Sequence, residues 1–169
     1  MEMQNLASTT RGIHLYVNVN HMNAFIKQEE DKKDDLSRAF HWLESFLRTL
    51  EFYINKYNDH VYVEKLNGTR VHLVFAEHDN FASEFLETVK FCFDLLNEME
   101  KTPRYQQVRH LKLSMGADYG NFKEFTFQDI KNQYEEDSTI GFPANYAAKL
   151  QNVAKDNEVL LTQRVIDVI

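Results

Sequence analysis

Asn67-Gly68 constrains this chain more than any other pair of residues. It separates His60-Val-Tyr-Val-Glu-Lys-Leu66 from Arg70-Val-His-Leu-Val-Phe75, two runs rich in β-branched and aromatic side chains. Asn and Gly both enter the positive-φ region readily, which a tight hairpin turn requires and most residues resist. The pattern predicts two antiparallel strands whose register is set by the turn.

The other segments supply partners for that hairpin. In Gly12–Asn20 the residues Ile13, Leu15, Val17 and Val19 alternate with His14, Tyr16, Asn18 and Asn20, the period of a strand. His21–Glu30 reads as a helix capped by Asn20, with Met22, Phe25 and Ile26 apolar. The charged run Glu29–Asp35 reads as a solvated break. Leu36–Asn55 is a longer helix, with Phe40, Leu43, Phe46, Leu47, Leu50 and Ile54 at helical spacing. Phe81–Met99 is a third, marked by Phe85, Leu86, Val89, Cys92, Phe93 and Leu96, with Pro103 closing the region. His110–Asp118 reads as a strand, Tyr119-Gly120-Asn121 as a turn, and Phe122–Phe127 as the returning strand. Asp129–Asp137 reads as a polar loop over the site. A helix from Pro143, a strand at Glu158–Leu161 and a helical turn from Thr162 complete the order βααββαββαβ. That order predicts an α+β sandwich, with helices on one side of a largely antiparallel sheet.

Composition narrows the classes of function. With 169 residues and 43% hydrophobic content, residues 12–169 are expected to form one domain, preceded by a flexible arm at 1–11. The net charge of −7 disfavours extended nucleic-acid binding, which needs a basic stripe, but not a mononucleotide. Cys92 is the only cysteine, so neither a disulfide framework nor a zinc cluster is expected, and its apolar setting suggests a buried thiol. His14, His72 and His110 lack ligand spacing and receive no metal role. No leader or apolar run of membrane length is visible, and a soluble, cytoplasmic protein is the expectation.

Chemistry concentrates in Ser138-Thr-Ile-Gly-Phe-Pro-Ala-Asn-Tyr-Ala-Ala-Lys-Leu150. Pro143 suits an early helical position, where its missing N–H costs nothing. Asn145 and Lys149, four apart, project from one side of that helix near its N-terminus, an arrangement able to hold a phosphate. The same spacing also describes a solvated surface pair. Gly-x-x-x-Asn-x-Ala-x-Lys-Leu followed by Val159-Leu-Leu-Thr162 resembles the C-terminal signature of class III nucleotide cyclases. Three further segments fall in the order that family requires, so the resemblance covers most of residues 12–165. It implies a ferredoxin-like, cyclase-type sandwich in which Asn145 and Lys149 steady ribose and phosphates.

The resemblance is also marked by its departures. The first strand of the family ends on a metal-binding Asp, and Asn18 stands there. The family hairpin reads Lys-x-x-Gly-Asp, the Lys facing the base and the Asp binding metal; this chain reads Lys65-Leu-Asn-Gly-Thr69. Both metal carboxylates are thus replaced, by Asn18 and Thr69, although strand-end polar residues are an equal reading of Asn18 and Asn20. The base-facing position that is Asp in adenylate cyclases is Ser138. Lys149 replaces an Arg, keeping charge but not bidentate geometry. Met115-Gly-Ala-Asp-Tyr-Gly120 matches a third family hairpin, where Asp118 serves as a metal or sugar contact or as a turn former.

The pattern is similar to the half of two-part cyclases that lacks the metal acids. It implies a nucleoside triphosphate ligand, and a homodimer or a heterodimer with a metal-bearing cyclase domain. Magnesium or manganese is implied if the protein is active, and no cofactor if it is a pseudoenzyme. The alternative is an active cyclase making a 3′,5′-cyclic nucleotide signal. The signature also resembles the bacterial anti-phage pyrimidine cyclases of Pycsar type.

Overall fold

The computed structural model describes residues 9–31, 37–105, 108, 110–129 and 134–169. At its centre lies β1 (Thr9–Asn20), flanked by β3 (Arg70–Ala76) and β4 (Lys112–Asp129), both antiparallel to it. β2 (Val61–Asn67) pairs with β3 as a hairpin, but its turn is Gly68-Thr69 rather than Asn67-Gly68. Asn67 pairs with Arg70 within the strands, and of the two expected residues only Gly68 takes positive φ, 61°. The order is β2-β3-β1-β4-β5, with β5 at Tyr134–Ile140. β4 shares its outer edge: β6 (Glu158–Leu161) runs parallel along Ser114–Ala117, and β5 runs antiparallel along Lys123–Asp129.

Alternation in β1 builds two unlike faces. Ile13, Leu15, Val17 and Val19 join Val71, Leu73 and Phe75 of β3 and Leu113, Met115 and Ala117 of β4 in one apolar core. Covering that face are α1 (Met22–Asp31), α2 (Ser37–Ile54) and α3 (Phe81–Lys101). α2 buries Ala39, Trp42, Phe46, Leu50 and Ile54, one helical stripe, and Trp42 stacks on Phe46 at 5.5 Å. Each such apolar side chain contributes about 1.5–3 kcal/mol on burial. Phe40, expected on that stripe, is instead 64% exposed, because Trp42 takes the inward position. α3 buries Phe85, Cys92, Leu96 and Met99, and burial pushes the Cys92 thiol up to about 12.

α4 (Phe142–Val153) sits on the opposite face, so helices flank the sheet on both sides rather than one. Gly116 permits this. A Cβ there would lie 2.2 Å from the Gln151 nitrogen and 2.4 Å from the Ala147 oxygen of α4. Pro143, Ala147 and Gln151, successive at four-residue spacing, form the buried side of α4, and Pro143 occupies its first turn as expected. α5 (Gln163–Ile166) follows β6.

Other expectations are corrected. Tyr119-Gly120-Asn121 is not a turn: β4 runs unbroken through it, pairing with β1 from Lys112 to Lys123. Gly120 serves close packing against Pro143 of α4 instead. The real reversal lies between β4 and β5, so Tyr134–Asp137 belong to a strand rather than the expected loop; residues 130–133 lie outside the described ones. Asp118 is a fully buried strand residue, not a turn former. Thr9–Arg11, assigned to the arm, pair with Asn121–Lys123. Asn20 does not cap α1, since its amide oxygen accepts from Asn18 and Ser114. Part of the charged break at 29–35 falls outside the described residues.

Candidate functional site

Asn18 and Thr69, the residues expected at metal positions from the resemblance, come together at one end of the sheet. The amide N–H of Val19 donates to the Thr69 carbonyl at 3.0 Å, tying the hairpin turn to the end of β1. Thr69 Oγ1 then donates to Asn18 Oδ1 at 2.9 Å. Asn18 Nδ2 donates to Asn20 Oδ1 at 2.7 Å, and Ser114 Oγ donates to the same oxygen at 3.0 Å. Gln151 Nε2 of α4 donates to Ser114 Oγ at 3.0 Å. Asn20 Nδ2 reaches Asp156 Oδ1 at 2.9 Å, and His21 Nε2 lies 2.7 Å from Asp156 Oδ2. These contacts, Asn20 first and His21 second, hold the Asp156 carboxyl below the usual range.

The chemistry of this donor set does not suit magnesium or manganese. Such ions take charged, hard oxygen ligands. Here neither position offers a carboxylate, and the Asn18 oxygen already accepts the Thr69 hydroxyl. Among the described residues no group of three or more His, Cys, Asp or Glu is placed to hold an ion.

Ser138 is tied to the residue before Lys65, Glu64, which no sequence pattern singles out. The β2–β3 register shifts between Val63 and Lys65, a bulge that makes Glu64 the extra residue. Its side chain is only 6% exposed, and Oε1 accepts from the Thr139 amide at 2.8 Å, Thr139 Oγ1 at 3.2 Å and Ser138 Oγ at 3.3 Å. Glu64 thereby pins β5 across the sheet to β2. Lys65 itself is exposed, opposite His72.

Behind Glu64 lies a buried pair: His14 Nδ1 and His72 Nε2 stand 2.9 Å apart, with His72 stacked on Tyr16 at 4.2 Å. Burial lowers His14 to about 4; burial, then the His14 neighbour, lowers His72 to about 3. Both imidazoles are therefore neutral at physiological pH.

α4 displays Asn145 and Lys149 to solvent, as the spacing predicted. Lys149 Nζ lies 5.4 Å from the Tyr146 ring centroid, and the Arg164 guanidinium lies 5.4 Å from the same centroid. Arg164 donates from Nε and Nη2 to Asp118 at 3.1 and 2.5 Å, and Thr162 Oγ1 donates to Asp118 at 2.6 Å. Asp118 is thus spent on an ion pair. Arg70 Nη2 donates to Asn152 Oδ1 of α4 at 2.5 Å, and its guanidinium lies 5.9 Å from the Tyr16 ring. Among the described residues, no hydrogen bond or ion pair joins Asn145 or Lys149 to Lys65 or Ser138.

Comparison with known proteins bears on the fold. No protein-family model matches the chain, and no curated protein matches it. Solved structures do. The adenylyl cyclase CyaB from P. aeruginosa superposes with a TM-score of 0.74 at 16% identity, over 100% of this chain and 83% of that one. The guanylyl cyclase Cya2 gives 0.79 at 8% identity, over 96% and 80%. A class III adenylyl cyclase-like ATP-binding protein from Pseudomonas aeruginosa gives 0.74 at 17% identity, over 99% of this chain and 37% of that one. The fold is that of class III adenylyl and guanylyl cyclase catalytic domains. No helix among the described residues is long and apolar enough to cross a membrane.

Proposed function

We propose that this chain is a class III nucleotide-cyclase-homology domain that binds a nucleoside triphosphate, or pairs with a cyclase partner, and is catalytically impaired by itself. The observation that carries the reading is the neutral Thr69–Asn18 hydrogen bond at the two family metal positions. Cyclisation needs the 3′-hydroxyl activated and the phosphate charge neutralised, and metal ions do both. Lys65 and Ser138 supply base contacts in this reading, and Asn145 and Lys149 ribose and phosphate contacts. The exposure of Lys65, Asn145 and Lys149 supports these roles. So does the lack, among the described residues, of a hydrogen bond or ion pair joining the two halves of the site within one chain, since a two-fold partner would complete it. That partner is a second copy, or a cyclase domain carrying the metal acids.

Calorimetric titration with the four ribonucleoside triphosphates tests the ligand. Affinity is expected in the unmodified chain and a marked loss in the Lys65→Ala, Asn145→Ala double variant. Equal affinity in both would remove these residues from the site. Sedimentation with and without nucleotide tests self-association; a monomer throughout leaves only the heterodimer.

A further inference from the structure

The misfit between the donor set and a divalent ion has a counterpart one residue away. Arg70 stands directly opposite Asn18 in the antiparallel β1–β3 pair. Opposed residues share a face of the sheet, with Cβ atoms about 4.5–5.5 Å apart. A permanent cation therefore emerges beside the position where this fold family keeps a metal carboxylate. We propose that Arg70 takes the place of the divalent ion, so that the chain binds its nucleotide as a metal-free anion with the guanidinium against a phosphate. This rests on the nucleotide-binding reading given above.

Three observations support the assignment. Arg70 is held in place at two points: the hydrogen bond to Asn152 and the approach to the Tyr16 ring. A guanidinium has five N–H donors in a fixed fork, so one bond to a neutral amide leaves a bidentate edge for phosphate oxygens. Second, among the described residues no carboxylate pairs with Arg70, in contrast to Arg164, whose charge Asp118 already balances. Third, Asn152 lies three residues beyond Lys149 on α4, which puts the two on neighbouring positions of the helix surface. The Arg70 head is thereby brought to within a turn of Lys149, a second cation that no carboxylate among the described residues pairs with. The same charge opposes a divalent ion at Asn18, whose oxygen the Thr69 hydroxyl already occupies.

The experiment titrates the full chain with ATP, GTP, CTP and UTP and with the four 5′-monophosphates, each in magnesium buffer and in EDTA. At least one nucleotide is expected to bind with the same Kd in both buffers. Arg70→Gln is expected to weaken it about tenfold or more, the scale of a lost charge-assisted contact. Arg70→Lys guards against misfolding, because it keeps the charge. It should bind more weakly than the parent through loss of the fork, yet remain indifferent to EDTA. Binding that EDTA abolishes overturns the inference and leaves the nucleotide-binding reading standing. Failure of every nucleotide in both buffers overturns both. Metal-free binding that Arg70→Gln leaves unchanged overturns the role given to Arg70.

Discussion

Acid should unfold this protein through one buried contact. His14 and His72 share a single N–H···N hydrogen bond, which two neutral imidazoles satisfy with one donor and one acceptor. Both are almost fully enclosed, and their folded pKa values fall to about 4 and about 3 from the ordinary 6.5. Between 6.5 and about 4 the unfolded chain binds two protons that the folded chain refuses. Stability must then fall as pH drops through that window and level off below the folded values. At pH 5 each histidine has cost about 2 kcal/mol, so the pair costs about 4 kcal/mol relative to neutral pH. That is a large share of the roughly 5–15 kcal/mol that holds a domain together. Urea unfolding of the unmodified chain and of a His14→Gln, His72→Gln variant, each at pH 7 and pH 5, isolates the effect. The difference in pH dependence between the two proteins should approach that figure. A parent chain equally stable at both pH values, or a variant that loses as much as the parent, would refute the reasoning.

Two further perturbations follow from the packing. Gly116→Val places side-chain atoms where the backbone of α4 now lies, and should destabilise by about 1–3 kcal/mol or more in urea unfolding. Because α4 carries Asn145 and Lys149, nucleotide affinity should fall with it. Asp118→Asn breaks the two-point contact with Arg164. The cost should be about 1–3 kcal/mol, below that of a fully buried pair, because the Arg164 side chain is 50% exposed.

What the sequence disclosed was local. The alternation of β1 and Pro143 at the start of α4 each depend on a few neighbouring residues, and each appears where it was expected. The hairpin forms too, but its turn is Gly68-Thr69, and Leu86, expected on the α3 stripe, is 47% exposed. Tyr119-Gly120-Asn121 misled because glycine has two uses: a turn, and the close approach of another backbone. Only the docking of α4 on β4 distinguishes them. Asn18 and Thr69 were identified as a pair through family resemblance, but their mutual hydrogen bond depends on how the hairpin folds back on β1. Glu64 and Arg70 carried no signal, since a bulge and a cross-strand neighbour are properties of register. His14 and His72 were each placed on a strand, yet their contact spans 58 residues of chain.

Neutral side chains at the proposed metal positions should leave the isolated chain unable to cyclise a nucleotide. The direct measurement is chromatographic detection of 3′,5′-cyclic product after incubation with ATP, GTP, CTP or UTP, in magnesium and in manganese. Metal positioning supplies several kcal/mol of the barrier lowering in such chemistry, so none of the four triphosphates should be turned over. Sustained formation of any cyclic nucleotide by the unmodified chain would contradict the account.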